Sequence, residues 1–189
     1  MRGVGRPLRL KSCDPLTAPM SADGTAHGRV RQLNVKAETP GQRGLPKAPV
    51  PEARLGPHGT SGDFNRFRHE EKHDDPRMAI LILPIETIAA LDREGWPVRP
   101  GDLGENITSE GLPYEAFAPG AHVRVGEAEL EVTKPCDPCD ILYTLPYVGT
   151  ARGPEFVRTT LGRRGWYARV VREGTVRPGD PIDVTPPAS

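Results

Sequence analysis

Residues 121–125 (Ala-His-Val-Arg-Val) and 128–133 (Ala-Glu-Leu-Glu-Val-Thr) are two alternating runs joined by Gly126-Glu127. A two-residue connection that opens with Gly closes an antiparallel hairpin. In that register Val125 faces Ala128, Val123 faces Leu130 and Ala121 faces Val132, so the apolar side chains share one face. Arg124, Glu129 and Glu131 turn to water, and Glu127 sits in the turn. This stretch must therefore belong to a sheet with one buried side.

Other segments carry related signatures. Val30, Leu33 and Val35 mark a first strand, residues 166–171 another, and Ile182 with Val184 a last one. Residues 78–84 do not alternate, as expected of a strand buried on both faces in the centre of the core. Ile85, Ile88, Ala89 and Leu91 recur at helical spacing until Gly95 and Pro97 stop them. A second short helix is expected over 154–161, with Pro154 at its start and Gly162 after its end. Arg99-Pro-Gly-Asp102, Ala118-Pro-Gly-Ala121 and Arg177-Pro-Gly-Asp180 place Pro ahead of Gly, as a type II turn requires. Residues 39–51 read as an extended loop.

The 21 glycines and 22 prolines among 189 residues are more than a helical bundle tolerates. The expected fold is mainly β, a barrel or sandwich of short strands with a few short helices. Residues 1–27 have no hydrophobic period and are expected to form a disordered tail, with 28–185 as the domain and 186–189 as a C-terminal tail.

Lys and Arg number 25, as do Asp and Glu, so the formal net charge is zero. No global field draws such a chain to nucleic acid or to an anionic membrane. The longest apolar run falls far short of the roughly 20 residues of a spanning helix, and the first residues lack the apolar core of a secretory signal. Three cysteines, two of them in Cys136-Asp-Pro-Cys139, do not make a disulfide framework. The expectation is a soluble cytoplasmic protein whose thiols are kept for chemistry.

His69-Glu-Glu-Lys-His73 matches the zinc-hydrolase pattern, in which two histidines one helical turn apart bind the metal and Glu70 activates water. Asp74-Asp-Pro76 breaks the chain at once, so a charged loop or helix end competes with that reading. Cys136 and Cys139 have the spacing of a redox pair, yet they follow a strand, are interleaved with Pro135 and Pro138, and have no helix pattern behind them. A structural zinc site would need two more ligands. The spacing also fits a soft thiolate ligand or sulfur carrier at a barrel mouth, or two small apolar side chains in a turn. Within residues 101–111, three glycines surround Glu105, Asn106 and Thr108, polar groups able to bind a heterocycle or phosphate, or merely to close a turn. Arg163 and Arg164 can pair with an anion or cap the preceding helix.

In their order along the chain these pieces resemble the MOSC domain, the module at the C-terminus of molybdenum cofactor sulfurases. The matching segments are Gly44-Leu-Pro-Lys47, Gly62-Asp63, the strand over 79–83, Gly101-Asp-Leu-Gly-Glu-Asn-Ile-Thr108, Lys134-Pro-Cys-Asp-Pro-Cys139, and Arg164-Gly-Trp-Tyr-Ala-Arg-Val170 through Pro178-Gly-Asp180. The resemblance covers about residues 28–184 and implies a MOSC-type, barrel-like fold of short strands. It further implies that Cys139 is the family's characteristic cysteine. In the related mitochondrial amidoxime-reducing component that residue is a molybdenum ligand beside the dithiolene sulfurs of a pterin. Other members have been proposed to carry sulfur as a persulfide on it, and stand-alone bacterial members are linked to detoxifying N-hydroxylated bases.

By this resemblance the chain binds the molybdenum cofactor, with Cys139 as metal ligand and catalytic residue. Lys47 and Arg164 are expected to neutralise the pterin phosphate, while Glu105, Asn106 and Thr108 hydrogen-bond cofactor or substrate; Asp63 is expected to fix a loop. The reaction would be reduction of a small N-hydroxylated molecule or the handling of sulfur for metal–sulfur centres, with Cys136 as a resolving thiol in the second case. Too few residues precede the domain for the N-terminal barrel of the amidoxime-reducing proteins, and no flavin or iron–sulfur motif is visible, so a separate reductase is the expected electron donor. No Schiff-base lysine with a phosphate loop is marked, so pyridoxal phosphate is not expected. The alternatives are a non-catalytic cofactor or persulfide carrier and, more distantly, a zinc hydrolase using His69, Glu70 and His73.

Overall fold

The computed structural model of the chain describes residues 20–42 and 44–187; the expected N-terminal tail lies outside the described residues over 1–19. The strands are β1 (Ala26–Val35), β2 (Ala48–Val50), β3 (Ala53–Gly56), β4 (Gly59–Thr60), β5 (Ile80–Pro84), β6 (Ile107–Glu110), β7 (His122–Val125), β8 (Ala128–Pro135), β9 (Trp166–Arg172), β10 (Gly174–Val176) and β11 (Pro181–Thr185). The helices are α1 (Arg66–Lys72), α2 (Ile85–Arg93) and α3 (Gly149–Thr160).

The β7–β8 hairpin has the register its alternation demands. Val125 opposes Ala128 and Val123 opposes Leu130, Val132 N–H donates to the Ala121 carbonyl, and all six apolar residues are buried. Gly126 opens the turn at φ 52. From this hairpin the strands run β11-β7-β8-β9-β5-β6-β1, and β11 also pairs with β1, which closes a seven-stranded barrel. Every ladder in it is antiparallel except β5–β6, where α2 supplies the crossover that a parallel pair needs. A smaller sheet, β10-β3-β4, is paired separately from the ring, and its Ala53, Leu55 and Val176 join the same apolar core.

The lack of alternation in β5 has a direct cause. Ile80 and Ile82 enter the barrel core, Leu83 joins a second apolar cluster with Leu91, Trp96 and Phe156, and Leu81 packs with Met78, Cys136 and Tyr167. Each such side chain contributes about 1.5–3 kcal/mol on full burial. The three Pro-Gly turns form with Gly101, Gly120 and Gly179 at φ 96, 86 and 92, closed by bonds such as Asp102 N–H to Arg99 O at 3.0 Å.

Some elements differ from expectation. α3 begins at Gly149, so Pro154 lies inside it rather than at its start; Gly153 of this helix sits against the Tyr143 ring, where a Cβ would come within 2.4 Å, a tertiary fit with no local signal. β2 forms inside the expected loop by pairing with Leu33, Asn34 and Val35. β1 starts at Ala26, and β3, β4, β6 and β10 are too short for periodicity to mark. Among the described residues no helix is long and apolar enough to cross a membrane.

Gly165, just ahead of β9, has φ 103, and a Cβ on it would lie 2.5 Å from the Ile82 carbonyl oxygen. Gly165→Ala is expected to cost at least about 2 kcal/mol and to lower the melting temperature by about 4–8 °C. Gly162 also has positive φ, 70, but open space around it, so Gly162→Ala is the control. Equal melting temperatures for the two variants would show that the close approach imposes no constraint.

Candidate functional site

Where β8 runs out, Cys136 N–H donates to the Gly165 carbonyl at 2.9 Å, which pins the start of the Cys-Asp-Pro-Cys loop to the head of β9. The loop ends at Cys139, which caps a 3-10 turn over Asp140–Thr144 anchored by buried Leu142. The two thiols therefore face different surroundings: Cys136 is 2% exposed among Met78, Leu81 and Tyr167, whereas Cys139 is exposed. Burial pushes the Cys136 thiol up, an effect that nearby Arg164 only partly offsets, so Cys136 remains protonated at neutral pH.

Arg164 ties the site together. Its guanidinium is buried, with Nη1 donating to Asp137 O at 2.9 Å and reaching Cys139 Sγ at 3.5 Å, and Nε donating to Leu103 O at 3.3 Å. Burial weighs against this charge, but the neighbouring Cys136 and Cys139 sulfurs hold it above the ordinary guanidinium range. Three segments, 101–105, 136–139 and the head of β9, thus meet at one cation.

Above Arg164 opens a cleft of about 470 Å³. Cys139, Arg164 and Lys47 line it, as do Lys134, Tyr167 and Leu45, with Phe64, Phe67, Glu70 and Glu71 across from them on and beside α1. Lys134 was not singled out from the sequence, although it directly precedes the Pro-Cys segment; its Nζ lies 6.0 Å from the Tyr167 ring centroid and has no ion-pair partner among the described residues. Lys47 differs, since its Nζ lies 2.6 Å from Asp63 Oδ2 with both side chains buried. Its charge is already matched.

Glu105, Asn106 and Thr108 do not line the cleft; they are buried beneath it. Asn106 donates to Asp63 Oδ2 at 2.9 Å and accepts from Leu81 N–H at 3.2 Å. Asp63 also accepts the Lys36 N–H at 2.8 Å. Glu105 Oε1 accepts from Gly101 N–H at 2.6 Å and from the Thr108 hydroxyl at 3.0 Å, and Asn34 donates to Thr108 Oγ1 at 3.1 Å. These side chains bind the protein's own backbone and set the loops that carry Lys47 and receive Arg164.

The zinc pattern loses its geometry. His69 and Glu70 lie in α1, but His73 ends the helix at φ 48 and ψ 45, so the two imidazoles do not share a helical face. His69 Nδ1 lies 3.0 Å from Asp74. Among the described residues no three His, Cys, Asp or Glu side chains are grouped to hold a metal ion.

The closed barrel has counterparts among known proteins. The MOSC domain model matches residues 69–183, and the chain belongs to that family, which is generally associated with molybdenum cofactor binding. The uncharacterized protein YflK of Bacillus subtilis is 31% identical over 113 residues, 59% of this chain and 50% of that protein. The chain thus spans about half the length of this curated relative. The structure of YuaD from Bacillus subtilis has the same fold, with TM-score 0.69 at 23% identity over 85% of this chain and 96% of that one. YiiM from Geobacillus stearothermophilus aligns with TM-score 0.63 at 26% identity, over 84% and 75% of the two chains.

Burial raises the Glu105 carboxyl to about 7 from 4.5, and its Oε2 has no hydrogen-bond partner among the described residues. Between those values the folded protein keeps a proton that the unfolded chain releases, so stability falls as pH rises from 4.5 through 7. The loss amounts to about 3 kcal/mol. Glu105→Gln resembles the protonated acid and keeps an oxygen for Gly101 and Thr108. In urea unfolding at pH 5 and pH 8 the variant is expected to lose about 2 kcal/mol less than wild type over that interval. Parallel pH curves would refute this.

Proposed function

We propose that the cleft binds the molybdenum cofactor, with Cys139 as the metal's protein ligand, and that the protein reduces small N-hydroxylated molecules. The observation that carries this reading is the exposed Cys139 sulfur at the cleft, 3.5 Å from a buried arginine. A thiolate is the soft donor that a sulfur-rich metal site selects, and it must be deprotonated to bind. The cleft's volume lies within the usual range for small-molecule sites. When bound, the cofactor supplies two-electron chemistry at molybdenum.

The chain's own residues have distinct tasks in this reading. Arg164 holds the loop that presents Cys139 and places a positive charge 3.5 Å from its sulfur. Arg164 and Lys134 meet the pterin phosphate, and Lys47 serves as a matched group at the cleft wall rather than a free cation. Glu105, Asn106 and Thr108 act one layer behind, through the loops they bind. Phe64 and Phe67 cover the far side and limit water. Electrons come from a separate reductase in a reducing cytoplasm, in keeping with the free thiols of Cys136 and Cys139.

Sulfur transfer uses the same Cys139 and is the second reading, favoured by a neighbouring thiol three residues away. The burial of Cys136 works against a resolving role in this conformation.

Protein purified from a host that makes the cofactor is expected to hold molybdenum near one atom per chain by elemental analysis and to reduce an N-hydroxylated base with a chemical or reductase donor. Cys139→Ser is expected to lose both, and Arg164→Gln to weaken metal retention by about tenfold or more. Protein without molybdenum, unchanged by Cys139→Ser, overturns the proposal. Cyanide releasing thiocyanate from wild type but not from Cys139→Ser would select sulfur transfer instead.

A further inference from the structure

On the outer wall of the barrel, away from the cleft, a second set of groups is held by strand register. His27 of β1 and Asp183 of β11 are directly opposed, and Arg124 of β7 opposes Asp183 on its other side. Ile182 and Val184 are buried in the core, so alternation turns Asp183 outward between them. Asp183 Oδ1 lies 2.7 Å from His27 Nδ1, and Asp183 Oδ2 accepts from Arg124 Nη2 at 3.0 Å. The other imidazole nitrogen, Nε2, lies 2.6 Å from Ser21 Oγ.

Ser21 reaches that position through a tight turn. Gly24 N–H donates to Ser21 O and Ser21 N–H to Thr25 O, both at 2.9 Å, Asp23 accepts from Thr25 N–H at 3.0 Å, and Met20 bridges to Ala26. Serine, histidine and aspartate are therefore linked in the order that activates a hydroxyl. The carboxylate beside Nδ1 selects the tautomer that leaves Nε2 free to accept a proton, and Nε2 is in contact with the nucleophile. Arg124 holds the second carboxylate oxygen and so aims the first at His27.

We propose that Ser21 is a reactive serine, activated by His27 and Asp183, that accepts acyl groups from small neutral activated esters. In the transfer, Ser21 Oγ bonds to the carbonyl carbon, the acyl–oxygen bond to the leaving alcohol breaks, and the Ser21 proton passes to His27 Nε2 and on to that alcohol. Water then releases the acid by the same route, with no change of oxidation state. The Ser21 turn is closed by its own backbone bonds, and the Asp23 carboxylate accepts backbone N–H groups within it. The Asp23 carboxylate in the same turn disfavours anionic donors, and the exposed setting of Ser21 favours small acyl groups without a binding pocket.

The test uses Cys139→Ser protein, so that the exposed thiol does not compete, treated with p-nitrophenyl acetate and analysed by peptide mass mapping. In samples quenched with acid before water releases it, one acetyl group is expected on Ser21, with labelling slowed at least about 100-fold by His27→Gln and abolished by Ser21→Ala. Unchanged melting temperatures establish that the variants fold. If His27→Gln does not fold, a neutral alkyl fluorophosphonate on the otherwise unaltered chain decides, because an unactivated serine hydroxyl does not react with it and peptide mapping locates the adduct. Acetylation confined to lysines, Ser21 labelling at an equal rate without His27, or no fluorophosphonate adduct on Ser21 overturns the proposal. None of these readouts involves molybdenum, so the proposal stands or falls apart from the cleft's function.

Discussion

Barrel closure rests on β1. Over ten residues this strand pairs with β11 at one end and β2 at the other while running beside β6. A register shift against β6 between Val30 and Gln32 gives it the local bend that a strand needs to serve partners in different directions. Without the β1–β11 ladder the remaining strands would form an open sheet with two unpaired edges. The same ladder sets His27 against Asp183, and the far end of β1 brings Asn34 to Thr108 and to the Asn106 carbonyl. One strand therefore builds both the outer Ser21 cluster and the floor beneath the cleft.

Two buried cations under that cleft illustrate how pairing decides function. Lys47 has a carboxylate at 2.6 Å, so the pair is close to neutral and its value lies in fixing two loops. Taking both ions out of water costs several kcal/mol per ion before their attraction is counted, which makes this a positioning device more than a source of net stability. Arg164 is bonded mainly to neutral backbone carbonyls, and sulfur is its one side-chain acceptor. Its charge is left to act on Cys139 and on whatever anion enters the cleft.

Much of the barrel was legible in the chain because it rests on local signals. The β7–β8 alternation specifies register, the Pro-Gly pairs specify turns, and the uninterrupted apolar run of β5 specifies a strand buried on both faces. Cys139 and Arg164 were legible only through the order of several motifs, since loop and β9 meet across 25 residues of sequence. The start of α3 was hidden because the fit of Gly153 against Tyr143 has no sequence period. Lys134 was hidden because one lysine at a strand end resembles any solvated lysine, and Ser21 because its partners lie on strands that sequence reading does not bring together.

The glycine-rich loop over 101–105 shows why composition misleads about contact. Glycines that admit a close backbone approach and polar side chains that bind it are what a ligand loop requires, yet here the approaching backbone is the protein's own. Gly101 O accepts the Lys47 N–H at 3.0 Å, and a Cβ at Gly101 would sit 2.4 Å from the Lys47 carbonyl oxygen. Glu105 holds the loop's first amide and Arg164 its Leu103 carbonyl. The same five residues therefore separate a buried acid that titrates near 7 from the guanidinium beside Cys139. Glu105 and Arg164 thus hold the same loop from opposite ends, at the Gly101 amide and the Leu103 carbonyl, and the polar residues position the cleft wall without lining it.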